Sequence, residues 1–203
     1  MTHLDHLVVA ARTLAEGLRY VQDRLGLELP PAGGKHPLMG THNRLLNLGK
    51  GAYLEIIAVD PEAPPPAQPR WFNLDDFSGA PRLHTWVART ESLERYQGLE
   101  LGPAREACRG DLHWRITLPE DGRLHWGGVV PYLIQWGPGH PTDTLPDGGC
   151  RLLELALLHP EPDAVRAVLK ALDLDWGKVR LEFAPNPELM AFIETPGGLK
   201  LLR

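Results

Sequence analysis

Leu4-Asp-His-Leu-Val-Val-Ala-Ala-Arg-Thr13 is an apolar strand opening on an acid–histidine pair, and the chain returns to the same pattern at Leu83-His-Thr-Trp-Val-Ala-Arg-Thr90. A helix-like stretch follows each. Each copy then closes on a second apolar strand with one polar residue at its centre, Ala52-Tyr-Leu-Glu-Ile-Ile-Ala-Val59 in the first and Val130-Pro-Tyr-Leu-Ile-Gln-Trp-Gly137 in the second. The intervals nearly agree: His6 and Glu55 lie 49 positions apart, His84 and Gln135 lie 51 apart. A repeat of that length is one supersecondary unit used twice, each copy too small to bury a core alone. Two such units facing each other bring His6, Glu55, His84 and Gln135 toward a shared centre.

Working outward, residues 4–11 alternate faces with a two-residue period, so His6 shares a side with Leu4 and Val8. Thr13 and Glu16 form a capping box for a helix with apolar residues at 14, 18, 21 and 25, which Gly26 ends. Residues 27–29 can start a strand. The glycine-rich segment from Ala32 to Asn43 reads as a loop, and 44–48 with 52–59 reads as a hairpin. Pro61 to Pro69 is a stiff connector. The second copy repeats the order, with strands at 83–88, 103–108, 112–118 and 129–136 and a helix at about 91–98. A third, partial unit follows at 150–203, with a strand at 151–158, a helix at about 163–172 and short strands beyond; it carries no matching polar pair and reads as structural. The fold class expected is α+β: paired βαβββ modules (copy one 1–60, copy two 82–137, together a domain over 1–137) in a cupped mixed sheet, plus the partial βαββ module.

Composition narrows the function classes. The chain has 203 residues, 43% hydrophobic and 23% charged, as in an ordinary globular protein. A net charge of −5 supplies no basic stripe for nucleic acid. The N-terminus lacks the basic region of a signal peptide, and no apolar run reaches the ~20 residues of a membrane span. The expectation is a cytoplasmic protein with a small-molecule ligand, no nucleic-acid or membrane partner, and a homodimer left open. The two cysteines, Cys108 and Cys150, have no CxxC spacing and read as free thiols.

This ordered set resembles the vicinal-oxygen-chelate superfamily of glyoxalases, extradiol dioxygenases and bleomycin-resistance proteins, and within it the glyoxalase-like domain proteins. The residues that carry the resemblance are Asp5-His6, Gly40-Thr-His-Asn43, the strand Tyr53-Leu-Glu-Ile-Ile57 and the strand Pro131-Tyr-Leu-Ile-Gln-Trp136. It implies a divalent metal (Zn, Fe, Mn, Co or Ni) held by His6, Glu55, His84 and Gln135. Two imidazoles and one carboxylate suit such ions and leave open positions for substrate oxygens. Three alternatives stand beside this. His6 can be a hydrogen-bonded core histidine, Glu55 can pair with Arg44, and Gln135 can bond backbone.

Glutathione-dependent glyoxalase activity is not expected, because an amide at 135 cannot act as a base. Glu55 takes the catalytic role by pseudo-symmetry. His42 and Asn43 at the cup mouth, with Tyr53 and Trp86 as walls, are the expected substrate contacts. Two function classes remain: a metal-dependent lyase, isomerase or dioxygenase acting on vicinal oxygens, and a metal-free binding protein.

Overall fold

The computed structural model describes residues 1–203. The first copy is β1 (His3–Ala10), α1 (Leu14–Leu25), β2 (Gly33–His36), β3 (Thr41–Asn47) and β4 (Tyr53–Val59). The second is β5 (Arg82–Arg89), β6 (Ala104–Arg109), β7 (Leu112–Thr117) and β8 (Tyr132–Trp136). Together they form one eight-stranded sheet in the order β2-β3-β4-β1-β5-β8-β7-β6. The two halves mirror each other about the antiparallel β1–β5 seam, and each first strand pairs in parallel with the last of its own half. The paired-module cup is therefore the observed fold.

The first half departs from the sequence reading twice and the second once. Residues 27–29 form no strand. The glycine-rich segment before Thr41 is a strand: β2 pairs antiparallel with β3, Gly34 opposite Asn43 and His36 opposite Thr41. Gly33 makes this possible, since at φ 141° a Cβ there would stand 2.3 Å from the Asn43 carbonyl oxygen. In the second half the expected helix at 91–98 is only a 3₁₀ turn, Leu93–Tyr96. That stretch is too short to propagate a helix, and Gly98 at φ 101° breaks it.

α1 keeps its expected ends, although the Glu16 carboxylate bonds Arg12 rather than completing the capping box at Thr13 N. The Thr13 side chain accepts from Glu16 N, and Gly26 closes the helix in the left-handed region. The helix lies directly on the sheet, because a Cβ at Gly17 would fall 2.6 Å from Ile56 Cγ2. The C-terminal segment adds β9 (Arg151–His159), α2 (Pro162–Ala171), β10 (Val179–Phe183), β11 (Glu188–Thr195) and β12 (Gly198–Leu202). These make a second sheet, β10-β9-β11-β12, with the three short strands expected after the helix near 179–184, 189–195 and 199–202. Its pairing also differs from the first copy, since β9 lies inside its sheet and pairs in parallel with the strand next after the helix.

One continuous core joins Leu7 and Val9 of β1, Trp86 and Ala88 of β5, and Leu155, Leu157, Ala191 and Ile193 of the small sheet. The small sheet thus covers the face that the second half, lacking a helix, would leave bare. The opposite, concave face holds its own cluster, including Val8, Ile57, Val87, Trp114, Tyr132 and Ile134. No helix is long and apolar enough to cross a membrane.

Candidate active site

The concave face narrows to a cleft of ≈ 350 Å³ including its open mouth, lined by His6, His36, Tyr53, Glu55 and Arg109 and by the apolar walls Trp71, Phe72, Trp114, Trp136, Ile116 and Ile134. Much of that volume is open solvent, and the free space inside the cleft as it stands admits little more than a water-sized group.

His6 is fixed from three sides. The β1–β5 register skips between Leu4 and His6, leaving Asp5 in a bulge where it can turn back on its neighbour. Asp5 Oδ1 meets His6 Nδ1 at 2.7 Å. The imidazole stacks on Tyr53, centroids 4.5 Å apart and planes at 17°. Its Nε2 points to Glu55 Oε2 at 3.6 Å, with both side chains buried.

Asp5 is fully buried, and its other oxygen accepts from Trp136 Nε1 and meets His140 Nε2, each at 3.1 Å. Burial alone would raise its pKa. The bonds from His140 and His6 override that and hold the carboxyl at about 2. Because Thr142 N donates to His140 Nδ1, bonding assigns the proton on that ring to Nε2, directed at Asp5. Asp5 is therefore an anion receiving three N–H groups.

Glu55 is held by the neighbouring strand. Asn43 Nδ2 donates to Glu55 Oε1 at 2.6 Å. Asn43 Oδ1 accepts from Gly34 N at 3.0 Å and from Arg109 Nη1 at 3.1 Å. Asn43 thus ties β2, β3, β4 and the far edge strand β6 into one rim. His36 lies beside it, its Nδ1 3.0 Å from Thr41 Oγ1 and its ring edge-on to Trp71. Burial lowers the His36 pKa to about 4, so it is neutral at pH 7. Burial also drives the Tyr53 phenol well above its usual range, with Asp5 and Glu55 adding to the effect.

The structure brings together His6, Glu55, Tyr53 and Asn43 of the residues expected here. The other four lie elsewhere. His84 falls in a second register skip of β5, between the pairs Val8–Thr85 and Val9–Leu83, and its Nε2 bonds the Phe72 carbonyl at 2.9 Å. Gln135 sits outside the cup on β8, its amide on the Glu91 carbonyl and its oxygen accepting from Leu93 N. Trp86 lies in the core under the small sheet, fully buried, with Nε1 on the Val129 carbonyl. His42 alternates away from Asn43 on β3, and the cleft lining does not include it. The alternative Glu55–Arg44 pair is not formed, since Arg44 bonds the Asn43 carbonyl. The sequence reading missed His36, which lies in the segment that reads as a loop, along with Arg109 and the anchoring role of Asp5. The one signal for His36 was a hairpin about Pro37–Gly40, which places it opposite Thr41 and on the Asn43 side.

A family model for the glyoxalase-like domain matches residues 4–172. The chain belongs to the glyoxalase-like domain family. No curated protein matches it. Among solved structures, a hypothetical protein from Staphylococcus aureus superposes with TM-score 0.61 at 13% identity, over 93% of this chain and 88% of that one. Methylmalonyl-CoA epimerase from Mycobacterium tuberculosis gives TM-score 0.44 at 21% identity, over 69% and 90% of the two chains. The Streptomyces coelicolor epimerase in complex with 2-nitronate-propionyl-CoA gives 0.44 at 15%, over 69% and 98%.

The donor set of this glyoxalase-like domain can be tested against the metal that the superfamily implies. His6 and Glu55 supply two donors within reach of one ion. Across the seam His6 pairs with Val87, and in the second half Val87 pairs with Tyr132 as His6 pairs with Tyr53. Ile134, two residues beyond Tyr132, therefore stands where Glu55 stands. Both positions that should complete the set are apolar. No group of three or more His, Cys, Asp or Glu side chains is arranged to hold a metal ion, whereas catalytic zinc takes three protein ligands. The residues do not fit the four-donor site.

Proposed function

We propose that this glyoxalase-like protein is an enzyme that enolises a small organic carbonyl compound through the side chains of Glu55 and His6, with no protein-held metal in the step. The observation that carries this reading is the pair His6 Nε2 and Glu55 Oε2, 3.6 Å apart in an aromatic cleft, one anchored by a buried anion and the other by an amide.

The roles follow from the partners. Asp5 orients the His6 ring through Nδ1, as a buried carboxylate does in an Asp–His couple, and the reacting form of the ring presents Nε2–H to the cleft. His6 Nε2–H then donates to the substrate carbonyl oxygen. Glu55 Oε2 takes the proton from the adjacent carbon, the C–H electrons form the C=C bond, and the C=O π pair moves onto oxygen, which takes the His6 proton and becomes the enol hydroxyl. Return of the two protons restores both groups and either regenerates or isomerises the substrate. Asn43 keeps Glu55 pointed into the cleft, Tyr53 backs the imidazole, and the tryptophans exclude water, which strengthens each charge interaction.

Solvent exchange tests this. Protein dialysed against a chelator should speed deuterium uptake at the carbon next to the carbonyl of hydroxyacetone or 2-oxobutanoate, followed by proton NMR. Glu55→Gln and His6→Gln should each slow it by roughly 10²-fold or more. Absence of exchange in the wild type, variants as fast as wild type, or exchange appearing only on adding a metal would contradict the reading.

A further inference from the structure

Arg109 is a cation facing the aromatic cleft with no acid to answer it. It ends β6, the edge strand of the second half, and reaches across the mouth of the cup to the opposite edge. Its stem passes over Gly34, where a Cβ would lie 3.2 Å from Arg109 Cδ. Nη1 donates to Asn43 Oδ1, an uncharged acceptor, and Arg109 enters no ion pair. Glu55, the acid in the same cleft, is engaged by His6 and Asn43. A guanidinium carries five N–H donors in a planar fork, and only one is used here.

The rest of the lining is flat and apolar. Trp114 and Trp136 stand 5.3 Å apart by ring centroids, with Ile116 and Ile134 among the same walls. A half-buried charge beside such walls is costly until it finds a counter-charge, and a carboxylate matches the fork with two parallel hydrogen bonds. We propose that the cleft selects small organic carboxylates, the carboxylate on Arg109 and the apolar body against Trp114 and Trp136. This rests on the reading of the cleft as the site of a small carbonyl compound, and it narrows that class to oxo acids and their relatives. Asn43 then links recognition to chemistry, since one end of its amide meets Arg109 and the other meets Glu55.

The test is a binding titration by ligand-observed NMR on the full chain. Crotonate, 2-oxobutanoate and benzoate are each compared with the amide of the same shape. At least one carboxylate should bind the wild type about tenfold or more tightly than its amide, as a charge-assisted bidentate bond requires. Arg109→Gln should erase that preference and Arg109→Lys keep part of it. Equal binding of acid and amide by the wild type, no carboxylate binding at all, or a preference that survives Arg109→Gln would overturn the proposal. The wild-type comparison stands even if a variant misfolds. A carboxylate preference without proton exchange supports this inference while overturning the enolisation step; exchange without the preference does the reverse.

Discussion

Asp5 receives N–H groups from His6, Trp136 and His140 at 2.7 to 3.1 Å while wholly shielded from water. An anion in that position is stable only because every donor is in place, so its replacement by a neutral amide is informative. Asp5→Asn would turn an NH₂ toward donors that need an acceptor. It should cost about 2–4 kcal/mol in urea unfolding, by loss of a buried charge network. Exchange should fall far beyond what the remaining folded fraction explains, because His6 loses the group that fixes its ring. An Asp5→Asn protein as stable and as active as wild type would show that the anchor does neither job.

At the scale of the element, what could be read from sequence followed strand periodicity. Tyr53 and Glu55 sit on a strand whose two-residue alternation is unbroken, and His6 alternates with Val8, so their cup face follows from the pattern. The bulge at Asp5 puts Leu4 on the other side, against expectation, and Asn43 falls in a segment that reads as loop. His84 could not be placed, because a register skip in β5 removes it from the alternation and nothing in the spacing marks a bulge. Gln135 was one residue from Ile134, and a one-residue slip moves a side chain to the other face. The two copies differ by insertions, so no single offset maps one onto the other: in the sheet His6 corresponds to Val87 and Glu55 to Ile134. β2 was hidden by its glycines and carries His36; β6 was legible as a strand, but its polar, exposed sequence did not mark Arg109 as facing the cup. The C-terminal unit was readable as structural packing, but its role in replacing a missing helix depends on long-range contacts that periodicity does not encode.

Over the whole molecule, three buried histidines set the acid limit of stability. Burial lowers His36, His84 and His125 each to about 4. All three are neutral in the fold, whereas the unfolded chain takes up protons near pH 6.5. Between pH 6.5 and about 4 the unfolded state thus binds more protons, and stability falls as pH falls, by up to roughly 3 kcal/mol for each site. Asp5, held at about 2, adds a further loss below its unfolded value near 3.8, as it must be protonated for the chain to unfold favourably. The urea midpoint should drop steeply from pH 7 to pH 4.5. A flat profile over that window would mean these rings are charged or exposed.

The central claim is that the glyoxalase-like cup of this chain has kept one half of a metal site, His6 and Glu55, and uses it for proton transfer. Calorimetric titration of chelator-stripped protein with Zn, Mn, Fe(II), Co and Ni addresses this most directly, with His6→Ala in parallel. The account predicts no stoichiometric metal binding in the wild type that His6→Ala abolishes, and no metal-dependent rise in melting temperature that the variant lacks. Tight one-to-one binding of any of these ions, lost on His6→Ala, would contradict it.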